Sequence, residues 1–222
     1  MLKPSLDPRL MTAADFFPFC EYGADIGADH GHLSCYLLAS GKCQHMQVSD
    51  LSATSLDKAR RLLDLHELCS RATFCVGNGL EALVHPAQAI AICGMGGHTI
   101  AEILEQGKDR LQNAALILSP QTEYALVRKT IYHTLGYHID REAAIWASNR
   151  FYVMMRAVPG ESLLDERSAF LGPCLMKDTS QEYERFLQWR FAVVSREKNH
   201  PDTQQRLTWL KAELDRVLKT RE

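Results

Sequence analysis

Residues 24–33 read Ala-Asp-Ile-Gly-Ala-Asp-His-Gly-His-Leu, which crowds two carboxylates, two histidines and two glycines into the point where an apolar run gives way to a helical pattern. That transition is the first beat of a rhythm running from about residue 22 to 157. Apolar runs of strand length near 22–27, 46–50, 72–77, 88–93 and 114–119 alternate with amphipathic stretches near 32–40, 54–68, 98–106 and 122–135. In the second of these stretches Leu56, Ala59, Leu62, Leu63 and Leu65 recur near helical spacing. Alternating strands and helices predict an α/β fold with a largely parallel sheet. AIAIC at 89–93 and ALILS at 115–119 are apolar at nearly every position, as strands are when helices cover both faces. The sheet is therefore predicted to be doubly wound.

After Gly136 the rhythm changes. YHIDREAAIW (137–146) and RFYVMMRAV (150–158) are joined only by Ala147-Ser148-Asn149, too few residues for a helical crossover, so they are predicted to pair as an antiparallel terminal hairpin. Pro159-Gly160 and Gly172-Pro173 punctuate a connection over 158–177. Beyond it, Thr179-Ser180-Gln181-Glu182 has the form of a capping box, followed by Tyr183, Phe186, Leu187, Phe191 and Val194 at three- and four-residue steps. Asn199-His200-Pro201 breaks the chain, with Pro201 suited to a first helical position, and Leu207, Leu210, Leu214 and Val217 continue at heptad-like spacing. Residues 178–221 are thus predicted to form a helical hairpin whose aromatic stripe packs inward. The expected division is 1–160 for the main domain and 161–222 for the connection and hairpin.

With 222 residues, 46% of them hydrophobic and 23% charged, the chain is ordinary for a globular protein. No segment offers the eighteen or so uninterrupted apolar residues of a membrane span, and Pro4, Asp7, Pro8 and Asp15 interrupt the start where an export signal needs an apolar run. A cytoplasmic location is expected. The seven cysteines form no CxxC pair and read as reduced thiols. The nine histidines show no zinc spacing, so no metal site is expected. A net charge of −2 neither points to nor excludes a nucleic acid, because a local basic patch can hide in a balanced total.

In a doubly wound sheet ligands bind beyond the carboxyl ends of the central strands. Gly27 and Gly31 let backbone approach a ligand there, but their GxxxG spacing is not the GxGxxG of a dinucleotide site, and clustered carboxylates repel phosphate. A neutral or cationic ligand is expected. Strand two ends at Asp50-Leu51, twenty-five residues after Asp25, where a carboxylate can hold a ribose diol; strand three ends at Gly77-Asn78-Gly79, where an amide can read an adenine edge. Each of these is alternatively a simple turn former. Strand four ends at Cys93-Gly94-Met95-Gly96-Gly97, either a tight turn or, as three glycines favour, a gap for a second, flat reactant.

Taken together these residues resemble a class I S-adenosyl-L-methionine-dependent methyltransferase, and more closely the bacterial tRNA (adenine-22-N1)-methyltransferase family. Arg9-Leu10, Pro18, ADIG at 24–27, Asp29-His30, Leu33, GNGL at 77–80, GMGG at 94–97, EILEQGKDRL at 102–111 and Gly172-Pro173 carry the resemblance along nearly the whole chain. It implies a Rossmann-like, seven-stranded, mostly parallel sheet with a terminal antiparallel hairpin, a coiled-coil-like C-terminal domain that helps hold tRNA, and methyl transfer to N1 of adenine 22. It also implies that Asp25, Gly27, Asp50, Leu51, Asn78, Gly79 and Gly94 bind S-adenosyl-L-methionine, and that Arg9, His30, Met95, Gly96 and Tyr152 face the tRNA. Asp50 stands where the family usually has Glu, Asn78 where it has Asp, and Ser119-Pro120-Gln121 where it has Gln-Pro-Asn.

Asp29 is the expected catalytic residue, a carboxylate beside N1 and N6 that stabilises the ring as it becomes cationic, with His30 orienting it or touching RNA; capping the next helix is its alternative role. Tyr152 either stacks on a base or packs, and Arg9 either contacts phosphate or braces the pocket. A nicotinamide oxidoreductase, a binding module that has lost turnover and a small-molecule methyltransferase are the rival readings. A monomer is expected.

Overall fold

The structure, a computed structural model, describes residues 4–197 and 201–221. Seven strands form one sheet in the order β3-β2-β1-β4-β5-β7-β6: β1 (Cys20–Ile26), β2 (Cys43–Asp50), β3 (Ala72–Val76), β4 (Ala89–Cys93), β5 (Ala115–Ser119), β6 (Tyr137–Ala147) and β7 (Arg150–Pro159). The first five run parallel, and β7 lies antiparallel between β5 and β6. The strand order turns back between β1 and β4, so the crevice at their carboxyl ends is where such a sheet binds ligands.

Side-chain alternation along the strands divides the interior into two cores. Ile90, Ile92, Leu116 and Leu118 point to one face, while Ala89, Ala91 and Ile117 point to the other. The second face is covered by α1 (Pro8–Phe16), α2 (His32–Ala39) and α3 (Ala53–Leu65), through residues such as Phe16, Leu37, Leu56 and Leu63. The first is covered by α4 (Gly97–Gln106), α5 (Tyr124–Lys129) and the C-terminal helices α6 (Glu166–Leu171), α7 (Gln181–Val194) and α8 (Thr203–Arg221). Tyr183, Phe186, Leu187, Leu210 and Val217 belong to the same continuous core as Ile90 and Val153. The aromatic stripe packs inward as expected except at Phe191, which is exposed, and Phe151 lies 5.5 Å from Phe186 and 5.7 Å from Trp189 between ring centres.

Several boundaries differ from the sequence-based expectation for local reasons. Helix α1 was not anticipated, although Asp7 accepts from the backbone N–H groups of Arg9 and Leu10 and Pro8 opens the helix, the usual start signature. The helix expected over 122–135 begins at Tyr124 and widens into a π-helical turn at Thr130–Thr134. The β6–β7 turn is two residues, not three: Ser148 and Asn149 take φ of +48° and +59°, the type I′ geometry that matches strand twist, while Ala147 pairs with Arg150. The 158–177 connection contains α6 and a short 3-10 turn at Leu175–Lys177. Pro201 lies in a turn two residues before α8, and Asn199-His200 of the expected break lie outside the described residues. Among the described residues no helix is long and apolar enough to cross a membrane.

Candidate active site

The turn after β1 is tied down by its neighbour. The N–H groups of Gly27 and Ala28 both donate to the Ser49 carbonyl, at 2.8 and 3.0 Å, and the Asp29 N–H donates to Asp50 Oδ2 at 3.0 Å. Asp50 Oδ1 accepts from the Ser52 N–H at 2.9 Å, and Ser52 in turn caps α3. Each Asp50 oxygen thus spends one lone pair on backbone and keeps one toward the crevice. Gly27 sits at φ +71°, and a Cβ there would collide with the Met95 side chain, which folds back over it.

Asp25, one residue inside β1, is buried and accepts from Ser34 Oγ of α2 at 2.8 Å. Burial pushes its carboxyl up to about 6; the Asp50 charge adds to the rise and the Ser34 hydrogen bonds oppose it. Because the folded value lies above the unfolded one, stability falls as pH climbs from about 4 to about 6. Asp25→Asn is therefore expected to gain about 1–3 kcal/mol over the parent chain at pH 8 in urea unfolding, with the gain vanishing toward pH 4. No gain at pH 8 would show that this carboxyl is not under strain.

At the end of β4 the backbone bends away at Gly94, φ +82°, with no atom within 4 Å of where a Cβ would stand. Gly94 N–H donates to the Ser119 carbonyl and Gln121 N–H to the Met95 carbonyl, lacing the β4 and β5 ends together. Gly97 corrects one expectation: a Cβ there would strike the backbone of Thr122 and Glu123, so this glycine serves close packing and does not widen the gap. Burial pushes the Cys93 thiol up, so it lines the crevice uncharged.

These strand ends enclose a cavity of about 410 Å³. Of the residues expected to form the site, Arg9, Asp25, Gly27, Asp29, His30, Asp50, Gly94 and Met95 line it. Leu51, Asn78 and Gly79 lie outside the cavity. There Leu51 is 71% and Val76 62% exposed, leaving apolar surface uncovered at the ends of β2 and β3, and exposed Asn78 makes no cap hydrogen bond. Gly96 is the N-cap of α4. Tyr152 is 8% exposed with the guanidinium groups of Arg9 and Arg150 each 4.7 Å from its ring centre. Its ring is occupied by two cations and packs; it does not offer a free stacking face.

Asp29 does not cap α2, whose N-cap is Gly31 without a side-chain bond. Its carboxylate is 71% exposed, 3.5 Å from His30 Nε2 and 3.4 Å from Ser55 Oγ, and Lys58 Nζ donates to His30 Nε2 at 3.1 Å. Gln121 and Leu10 also line the cavity, and neither was singled out as a site residue. The strand-end rule applied to β5 would have found Gln121, and the Asp7-Pro8 helix start would have found Leu10.

The chain is similar to known proteins along its whole length. It is 29% identical over 229 residues to the tRNA (adenine(22)-N(1))-methyltransferase of Bacillus subtilis, covering 98% of this chain and 96% of that one. Sp1610 of Streptococcus pneumoniae superposes with a TM-score of 0.86 at 25% identity, over 95% of this chain and 100% of that one. TrmK of M. capricolum, solved with S-adenosyl-homocysteine, superposes at 0.83 with 21% identity, over 96% and 99%. A family model described as a methyltransferase domain matches residues 6–155. That span holds all seven strands but the last four residues of β7, together with every residue that lines the cavity, so fold and crevice answer to one assignment: the chain belongs to the methyltransferase domain family.

Proposed function

We propose that the chain methylates N1 of an adenine, position 22, in the core of tRNA, using S-adenosyl-L-methionine. The observation that carries this reading is the convergence of Asp25, Asp50 and the glycine turns at Gly27 and Gly94 on one cavity beside uncovered apolar surface. Such a lining suits a phosphate-free nucleoside bearing positive charge, and the B. subtilis and M. capricolum relatives support the substrate and cofactor. When bound, S-adenosyl-L-methionine supplies an electrophilic methyl on a sulfonium.

In this reading Asp50 accepts the ribose hydroxyls with the lone pairs that Asp29 N–H and Ser52 N–H leave free. Leu51 and Gly79 cover the adenosine ring and Asn78 bonds its edge, an amide doing the work of the family's usual aspartate. Gly27 and Gly94 let main chain approach, and Asp25 faces the cationic side. On the substrate side Met95 and Gly96 border the acceptor gap, Arg9 meets the nucleotide with Tyr152 bracing it, and His30 is held by Lys58.

Adenine N1 carries its own lone pair, so the protein supplies alignment and need not remove a proton before attack. The methylated ring is cationic; Asp29 stabilises that charge and accepts an N6 hydrogen. Because N1 lies on the pairing edge, the target must be turned out of its stack, and the grip on tRNA weakens as salt rises. The chain is read as a monomer acting in the cytoplasm, where tRNA is found.

Incubation with unmodified tRNA and labelled cofactor, followed by nucleoside mass spectrometry, is expected to yield 1-methyladenosine and none from a transcript with guanine at position 22. Tight cofactor binding by calorimetry without transfer would instead identify a binding module.

A further inference from the structure

We propose that Gln121 selects the target base by gripping the N7/N6 edge of adenine, which turns N1 toward the methyl donor. The inference rests on the adenine-N1 reading above and adds the residue that enforces it. Gln121 follows β5 and lines the cavity opposite the β1 turn. Its backbone is held at both polar groups: its N–H donates to the Met95 carbonyl at 2.8 Å, and its carbonyl accepts from Arg150 Nη2 at 2.8 Å. Its side chain is held too, because Nε2 donates to the Gly94 carbonyl at 2.7 Å.

That last bond decides the direction of the amide. Only the nitrogen can donate to a carbonyl, so Oε1 is the other end, and among the described residues nothing donates to it. One Nε2 hydrogen is spent on Gly94. The second is unspent, so the amide keeps one donor and the Oε1 acceptor on the cavity wall, beside the space that Gly94 leaves open.

Adenine offers the complement of that pair, an acceptor at N7 and a donor at N6, whereas guanine presents acceptors at both N7 and O6 and would set O6 against Oε1. Binding by this edge uses the N6 hydrogen on the N7 side. It leaves N1 bare and the other N6 hydrogen free for Asp29. A purine held by its Watson–Crick edge could not react at N1, so reading the opposite edge is the arrangement the chemistry requires.

The test uses the full chain and tRNA assembled with adenine or 7-deazaadenine at the methylated position. For the parent protein, loss of N7 is expected to lower kcat/KM about tenfold, the equivalent of one hydrogen bond. In Gln121→Ala, and in Gln121→Glu, which cannot donate to N7, the two substrates are expected to differ by less than about twofold. If Gln121 only braces Gly94, its loss slows both substrates by one factor and the tenfold ratio persists, which overturns the proposal. A parent protein that leaves N1 of ordinary adenine unmethylated overturns the underlying reading, and this one with it. Methylation with no dependence on N7 overturns the Gln121 assignment alone.

Discussion

Replacing Glu142 with alanine is expected to cost about 3–5 kcal/mol of stability and to lower Tm by about 10 °C or more, read by calorimetry or circular dichroism. Glu142 projects from β6, and its carboxylate is wholly buried. Its Oε1 accepts from Arg128 Nε at 2.8 Å, and its Oε2 accepts from the backbone N–H groups of Cys174 and Leu175 at 2.9 and 3.3 Å. Arg128, 1% exposed on α5, donates onward to the carbonyls of Ala169 and Phe170 at 2.8 and 3.1 Å. Removing one partner leaves an uncompensated charge and orphaned backbone donors in the interior, which is why the loss exceeds that of an exposed ion pair. The expected damage is also local. This ion pair ties the α6 segment and residues 174–175 to α5 and β6, so hydrogen exchange in α6, α7 and α8 should quicken before that of β1 and β4. The apolar double change Arg128→Met with Glu142→Leu is expected to be milder than Glu142→Ala alone, because it leaves no charge behind. A Glu142→Ala protein melting within 2 °C of the parent would refute this account of how the C-terminal helices are fastened.

Asp29→Asn is expected to lower kcat about 100-fold while leaving the cofactor Kd within about threefold. The residue makes an unusually clean test. Its φ of +48° lies in the left-handed region that asparagine tolerates well, so the fold loses nothing by the change. Its contact with Asp50 is made through the backbone N–H, which the substitution preserves. Only the carboxylate charge is removed; its side-chain contacts, a hydrogen bond from Ser55 Oγ at 3.4 Å and His30 Nε2 at 3.5 Å, are long, and an amide oxygen can keep the first. A strained, exposed acid at the mouth of a cavity is poorly explained by stability. Full turnover with normal cofactor binding would remove Asp29 from the chemistry and leave His30 and Lys58 to account for this wall.

Much of this was legible in the chain itself. AIAIC and ALILS announced two-sided burial, and the three-residue gap between YHIDREAAIW and RFYVMMRAV left antiparallel pairing as the only geometry. Asp25 and Asp50 at successive strand ends placed an acidic crevice at the carboxyl ends of the first two strands. These are local signals, set by the two- and three-to-four-residue periods of strands and helices and by the rule that ligands sit at strand ends. The heptad-like apolar residues of α8 likewise pointed inward as their spacing required.

What no local pattern carries is the pairing of groups far apart in the chain. Glu213 reads as one more surface charge on α8, yet it is fully buried, meeting Tyr183, Arg167 and Arg216. Arg128 and Glu142 read as ordinary surface charges, fourteen residues apart on different elements, until the sheet brings them together. Tyr152 could stack or pack by its sequence alone, and it packs because it is covered by Arg9, which α1 delivers from the other end of the sequence. Gln121 acquires its orientation only from the Gly94 carbonyl, 27 residues away. The sequence by itself determined the elements, their order in the chain and the chemical character of the crevice, because each follows from neighbours a few residues apart. Which charges are buried, which ring is already occupied and which way an amide faces were decided by tertiary structure alone, because burial and hydrogen-bond geometry exist only once distant segments meet.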